Sequence, residues 1–205
     1  MIDVEREDGV FIVTLNRPDK ANALNAQMLT QLVDAMRAAQ DAPAVILTGR
    51  GRVFSAGADL EAARAGLATS SLWEALSAAV AACSGLTVAA LNGTLAGGAM
   101  GMALACDIRI APPQATFFYP VMKLGFLPQP SDPLRMSRLI GPARTKLILM
   151  GGQKIGAEEA LRFGLIDRIV APEDIMDHAR GLVADVIAAK PAHAQRIKQM
   201  CATSG

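Results

Sequence analysis

Val88-Ala89-Ala90-Leu91-Asn92-Gly93-Thr94-Leu95-Ala96-Gly97-Gly98-Ala99-Met100-Gly101-Met102-Ala103-Leu104-Ala105 is the stretch that decides the fold. Residues 88–91 read as a buried strand, Asn92-Gly93 as a tight turn, and residues 97–105 as a helix made of small residues all round. Such a helix has no polar face to give to water, so it must be buried. The same plan stands just before it. Residues 45–48 form a short buried strand, Gly49-Arg50-Gly51-Arg52 a turn, and Phe54-Ser55-Ala56-Gly57-Ala58-Asp59 leads into an alanine-rich helical stretch. A near-repeat of strand, Gly-rich turn and helix predicts a winding α/β fold.

Working outward, residues 10–15 are a β-branched and apolar strand that stops at Asn16-Arg17-Pro18. Met28, Leu29, Leu32, Val33, Met36 and Ala39 then fall on one helical face, with Asn25 placed to cap. A helix is expected over 73–83, a strand over 108–111, an extended piece over 115–123 and a Pro-rich loop over 127–133. Helices over 135–140, 142–150 and 157–163 each end near a glycine, which suits a left-handed stop. A short strand over 166–170 and amphipathic helices over 175–189 and 193–200 complete the reading. No linker or low-complexity tract divides the chain, so one domain is expected over 1–205, with 191–205 the start of a further, shortened helical region.

Composition narrows the function. The chain has 205 residues, 20 Lys+Arg against 19 Asp+Glu and 52% hydrophobic residues. That apolar content excludes disorder, and a net charge of +1 provides no broad field for a nucleic acid or an anionic membrane. Cys83, Cys106 and Cys201 are too few and scattered for a disulfide framework, and His178 and His193 stand far from other ligand types, so no metal site is expected. The start is acidic where a signal peptide is basic and then apolar, which reads as cytoplasmic. Residues 75–106 carry no charge, a run long enough to span a bilayer. Ser84-Gly85, Asn92-Gly93 and Gly97-Gly98 interrupt it, and lipid would leave the backbone at those breaks unpaired.

The two strand-turn-helix junctions matter most for chemistry. Ala56-Gly57-Ala58 and Ala96-Gly97-Gly98 place small residues at helix starts, where backbone N–H groups have no partner within the helix. Two such groups converging on one carbonyl oxygen would stabilise developing negative charge. Close packing of helix on strand demands the same residue types, so both readings stand. A dinucleotide site fails on spacing, because position 96 is alanine and no acid follows Gly101 at the ribose distance. Neither a phosphate-binding G-x-x-x-x-G-K-[ST] nor a G-x-S-x-G elbow occurs.

Leu15-Asn16-Arg17-Pro18, Asn22-Ala23-Leu24, Phe54-Ser55-Ala56-Gly57-Ala58-Asp59-Leu60, Asn92-Gly93 through to Asp107, and Leu161-Arg162-Phe163-Gly164-Leu165-Ile166-Asp167 together resemble the enoyl-CoA hydratase/isomerase (crotonase) family, in order and at familiar spacings. The resemblance implies repeated ββα turns with C-terminal helices and a CoA thioester as ligand, with CoA entering as part of the substrate and no separate cofactor. It implies an oxyanion hole from the N–H groups of Ala58 and Gly98. Ala21, Ala23 and Ala56 would line the CoA path, with Gly57, Ala58, Asp59, Leu60, Gly97 and Gly98 completing the ligand-binding set. Arg17, Lys20, Arg50 or Arg52 would meet the CoA phosphates, or stay solvated as surface charges. A homotrimer or a hexamer of two trimers is implied as well. The acyl group is not legible, because its walls come from residues 61–73 and the Pro-rich loop, where no shared pattern is present.

The departures are informative too. Hydratases of this family carry two glutamates that deliver water across a double bond; the aligned positions here are Gly101 and Val121, neither able to exchange a proton. Ordinary hydration is therefore disfavoured. Relatives that isomerise, dehalogenate or decarboxylate place an acid or base elsewhere, including the loop after the second glutamate position, which here holds Asp132 with Gln129 and Ser131. Asp132 is the first candidate base, although Ser131-Asp132-Pro133 is equally a helix-start sequence. Tyr119 is the second, as proton donor or as a packed ring. Asp59 and Asp107 read as structural, and Lys123 as solvent-facing. Family members usually continue for roughly 40 to 60 residues past the point where this chain stops, so either the sequence is trimmed or the pocket is more open and the assembly altered. The expectation is an enolate-forming acyl-CoA enzyme of isomerase or lyase type. Its rivals are an acyl-CoA binder without turnover and a trimeric scaffold.

Overall fold

The computed structural model describes residues 1–202 and opens with a hairpin, β1 (Ile2–Glu7) running antiparallel to β2 (Val10–Leu15). All six β2 residues are buried because both faces are covered: Phe11, Val13 and Leu15 join the main core, Val10 and Ile12 a second one. After a 3₁₀ turn over Pro18–Lys20, α1 (Ala26–Ala38) begins at Asn25, whose side chain accepts the Met28 N–H at 2.9 Å. The expected face of α1, Met28, Leu29, Leu32, Val33 and Met36, is buried.

A spiral of three turns follows. β3 (Ala44–Gly49) and β4 (Val53–Ser55) lead to α2 (Leu60–Arg64) and α3 (Leu72–Ala81). β5 (Leu86–Ala90) and β6 (Thr94–Ala96) lead through a 3₁₀ turn at Gly97–Ala99 to α4 (Met100–Leu104). β7 (Ile108–Ala111) and β8 (Thr116–Phe118) lead to α5 (Val121–Leu124) and α6 (Asp132–Leu149). β9 (Ile155–Gly156), α7 (Ala157–Phe163), β10 (Arg168–Ile169), α8 (Ile175–Ala188) and α9 (Pro191–Ala202) complete the order. The first strand of each turn enters a six-stranded sheet, β1-β2-β3-β5-β7-β10, and the second a four-stranded sheet, β4-β6-β8-β9. This is a mixed α/β fold of repeated ββα units.

Both faces of the larger sheet are buried. Ile175, Ala179 and Val183 of α8 pack on Ile46, Val88, Ala90 and Ile110 from one side, and α1, α3 and α4 supply much of the main core. Burying an Ile or Val side chain is worth about 1.5–3 kcal/mol, so α8 is held mainly by this stripe. Among the described residues no helix is long and apolar enough to cross a membrane.

Several expectations need correction. The extended piece over 115–123 ends at Phe118, because Pro120, at φ −81°, starts a helical turn. The strand over 166–170 shortens to Arg168–Ile169, since the Leu165 and Ile166 N–H groups turn back to the Ala160 carbonyl. The helices over 135–140 and 142–150 are parted as expected, at Gly141, whose φ and ψ are 79° and 161°; only the start of the first moves, to Asp132. Residues 203–205, at the end of the expected C-terminal helical region, lie outside the described residues.

Candidate active site

The two Gly-rich junctions touch each other. Gly57 and Gly97 both adopt left-handed backbone, with φ 89° and 57°, a region open to glycine and strained for other residues. A Cβ on Gly57 would stand 2.9 Å from the Ala96 carbonyl oxygen, so only glycine lets the turns meet. Leu24 clasps the first junction from outside: its N–H donates to Gly57 O and its carbonyl accepts the Asp59 N–H, both at 2.8 Å. In that parallel bridge the Ala58 N–H points away from Leu24, and no backbone carbonyl among the described residues accepts it or the Gly98 N–H. Ala58 and Gly98 line one cavity of about 250 Å³. Trp73 forms its wall beside Gly98, where an added Cβ would meet the indole at 3.1 Å.

Across this cavity stands Tyr119. Its hydroxyl donates to Asp132 Oδ2 at 3.0 Å and accepts the Gln129 N–H at 3.3 Å. Asp132 is fully buried, and its Oδ1 has no partner. A Cβ on Gly101 would stand 2.7 Å from that oxygen, so the carboxyl fills the space a side chain at 101 would need. Asp132 opens α6 as its sequence neighbours promised, yet no side chain caps the helix. The carboxyl turns inward instead. Burial raises its pKa to about 7, with Glu74 reinforcing the shift and the Tyr119 hydrogen bond and Arg135 opposing it. Burial also pushes the Tyr119 phenol far above its usual value, so it is neutral at every physiological pH. Ser131 ties the loop down: its N–H and hydroxyl donate to Glu74 Oε2 at 3.2 and 2.9 Å, and Arg135 donates to Ser131 Oγ and Ser77 Oγ.

The other sequence-derived residues divide. Ala56, Leu60 and Gly97 also line the cavity; Ala21, Ala23, Gly57, Asp59 and Asp132 do not. Asp59 caps α2 through the Glu61 and Ala62 N–H groups and pairs with Arg17 at 2.9 Å; the Arg17 hydrogen bond leads in lowering its pKa. Of the four cations considered for phosphate, Arg17 is held by Asp59 and the Ala23 carbonyl, Arg50 pairs with Asp3, and Lys20 and Arg52 are exposed. Asp107 is structural, accepting from Thr87 and Lys198, and Lys123 is exposed. The Cys83 and Cys106 thiols are pushed by burial up to about 11 and about 12, which makes them inert. Among the described residues no cluster of metal-ligand type forms. A larger cavity, about 670 Å³, lies between α9 and the body of the protein and contains none of the junction residues. Its walls combine apolar Ala105, Val186 and Ile197 with Asp107, Asp185, His193 and Lys198.

Sequence reasoning placed the walls in residues 61–73 and the Pro-rich loop, and Ala63, Ala68, Trp73, Leu127 and Gln129 do line the cavity. It missed the contact of Trp73 with Gly98 and the Glu74–Ser131–Arg135 network. One signal was available, since the lone tryptophan and Glu74 stand together at the head of the charge-free run.

Comparison with known proteins places this geometry in context. Residues 5–204 match the family model for enoyl-CoA hydratase/isomerase. A probable enoyl-CoA hydratase, echA8, of Mycobacterium bovis is 36% identical over 193 residues, 89% of this chain and 74% of that protein. 4-Chlorobenzoyl coenzyme A dehalogenase-2 of an Arthrobacter species is 34% identical over 206 residues, 95% of this chain and 74% of that protein. Among solved structures, the enoyl-CoA hydratase of Bacillus anthracis superposes with a TM-score of 0.91 at 28% identity, covering 98% of this chain and 82% of that one.

Proposed function

The chain belongs to the enoyl-CoA hydratase/isomerase family, and from that premise we propose that it binds an acyl-CoA thioester and moves a proton on the carbon beside its carbonyl. The thioester oxygen sits between the Ala58 and Gly98 N–H groups. Each donor of this kind typically contributes on the order of 10²- to 10³-fold in rate, because it is already aimed at the charge that develops. Asp132 is the carboxyl that holds the proton. The observation that carries this reading is its placement over Gly101, where it occupies the space of the missing side chain with one oxygen unpartnered.

A single carboxyl fits a narrower chemistry than hydration. Adding water needs one group to take a proton from water and another to give one to carbon, and Gly101 and buried Val121 provide neither. One carboxyl that takes a proton from one carbon and returns it to another moves a double bond, so isomerisation of an enoyl-CoA is the reaction class supported best. A second reading, a binder without turnover, is favoured by one observation: Asp132 is fully buried and does not border the cavity.

The test is mass spectrometry of saturated, 2-enoyl and 3-enoyl CoA thioesters incubated with the protein in deuterated water. Deuterium uptake at carbon, or interconversion of the 2- and 3-enoyl forms, is the expected result. Tight binding with neither would leave the binder.

A further inference from the structure

Asp132 is sealed from the cavity that holds the reaction. Its relative exposure is 0%, and Tyr119 both hydrogen-bonds to it and lines the cavity. Resting on the acyl-CoA reading above, we propose that Tyr119 is a catalytic residue that carries the proton between the cavity and Asp132, the two working as one acid–base unit.

Lone pairs and protons can be counted. The phenol oxygen has one proton and two acceptor positions. The proton points to Asp132 Oδ2, and one acceptor position takes the Gln129 N–H. One acceptor position is left on an oxygen whose residue forms the cavity wall. In the forward step the C–H bond beside the thioester carbonyl breaks, and its electron pair moves onto the carbonyl oxygen held by the Ala58 and Gly98 N–H groups. The proton goes to the Tyr119 oxygen while that oxygen's original proton passes to Asp132 Oδ2, turning the carboxylate into a neutral acid. The reverse shuttle delivers a proton to the same carbon or to the one two positions along the chain, and Asp132 is ionised again. Tyr119 stays neutral throughout, as its buried position requires.

The surroundings of Asp132 suit an acceptor of this kind. Tyr119 faces it before α5, Glu74 from α3 and Arg135 from its own helix, while α4 contributes Gly101 and no charged group. With Oδ1 unpartnered, the carboxylate is under-bonded and ready to take a proton.

Deuterium exchange into a bound acyl-CoA, followed from pH 5 to 9 with acyl-CoA affinity measured in parallel, tests the relay in wild type, Tyr119→Phe, Asp132→Asn and the double variant. Expected are losses of about 100-fold or more in each single variant, a double variant no slower than the slower single, unchanged affinity, and a wild-type rate that rises through about pH 7. Since Tyr119 is the chain's one tyrosine, biosynthetic 3-fluorotyrosine alters its acidity alone with ring and hydroxyl kept. A relay responds with a changed exchange rate, and a packed ring does not. Exchange within a few-fold of wild type in Tyr119→Phe, with Asp132→Asn inactive, overturns the relay and leaves Asp132 acting directly. Losses that multiply in the double variant overturn it also. A wild type that binds acyl-CoA and exchanges nothing sinks the proposed function and the relay together.

Discussion

At position 101 a side chain is absent, and Asp132 has moved into its space from 31 residues further along the chain. Gly101→Ala therefore forces a methyl to within 2.7 Å of a buried carboxyl oxygen. A loss of about 1–3 kcal/mol in urea unfolding is expected, as for other overpacked sites. The loss should shrink in an Asp132→Gly background, and a double-mutant cycle measures the difference. The sequence nominated Asp132 from the loop after residue 121, and Tyr119 separately as the chain's one tyrosine in the extended piece before it. Their contact stayed hidden because a hydrogen bond between residues 13 apart leaves no mark on spacing. The helix-start reading of Ser131-Asp132-Pro133 located the beginning of α6 while missing where the carboxyl points.

Among elements, the long and periodic ones were legible and the short ones were not. β2 lies over residues 10–15 as read, and α1 begins at the Asn25 cap. β4 and β6 have three residues each, too few for a period to show. β1 is a charged edge strand, mostly exposed, whose residues are chosen to discourage pairing rather than to fill a core. The two junctions were read as helix starts, and both openly face the same cavity. Gly57→Ala strains a left-handed turn and pushes the Ala96 carbonyl away. It should lower deuterium exchange by about 10²-fold, as expected when an aimed donor is displaced. Asn25→Ala serves as the contrast: loss of its bond to the Met28 N–H should cost about 1 kcal/mol in thermal unfolding and leave exchange unchanged.

At the scale of the whole molecule, a buried acid makes stability depend on pH. The folded chain holds the Asp132 proton up to about pH 7, whereas the unfolded chain releases it near its ordinary value of 3.8. Between those values the unfolded state binds fewer protons, so this group's contribution to stability falls as pH rises and levels off above about 7. Asp132→Asn removes the titration. Its stability relative to wild type should climb from pH 4 to 7 by an amount on the order of 1–4 kcal/mol and then stay flat, read from urea unfolding at a series of pH values. A variant that is more stable and less active would mark the buried carboxyl as a cost retained for function.

The alternation of strands between the two sheets puts the two halves of the proposed reaction on different turns of the spiral. The N–H groups proposed to face the carbonyl come from the first and second turns, after β4 and β6, and Tyr119 and Asp132 come from the third, between β8 and α6. The third turn is nonetheless locked to the earlier two, since Glu74 of the first holds Ser131 and Asp132 fills the space beside Gly101 of the second. Chimeras that move one chemistry into a relative's scaffold therefore have to exchange positions 74 and 101 together with residues 116–135.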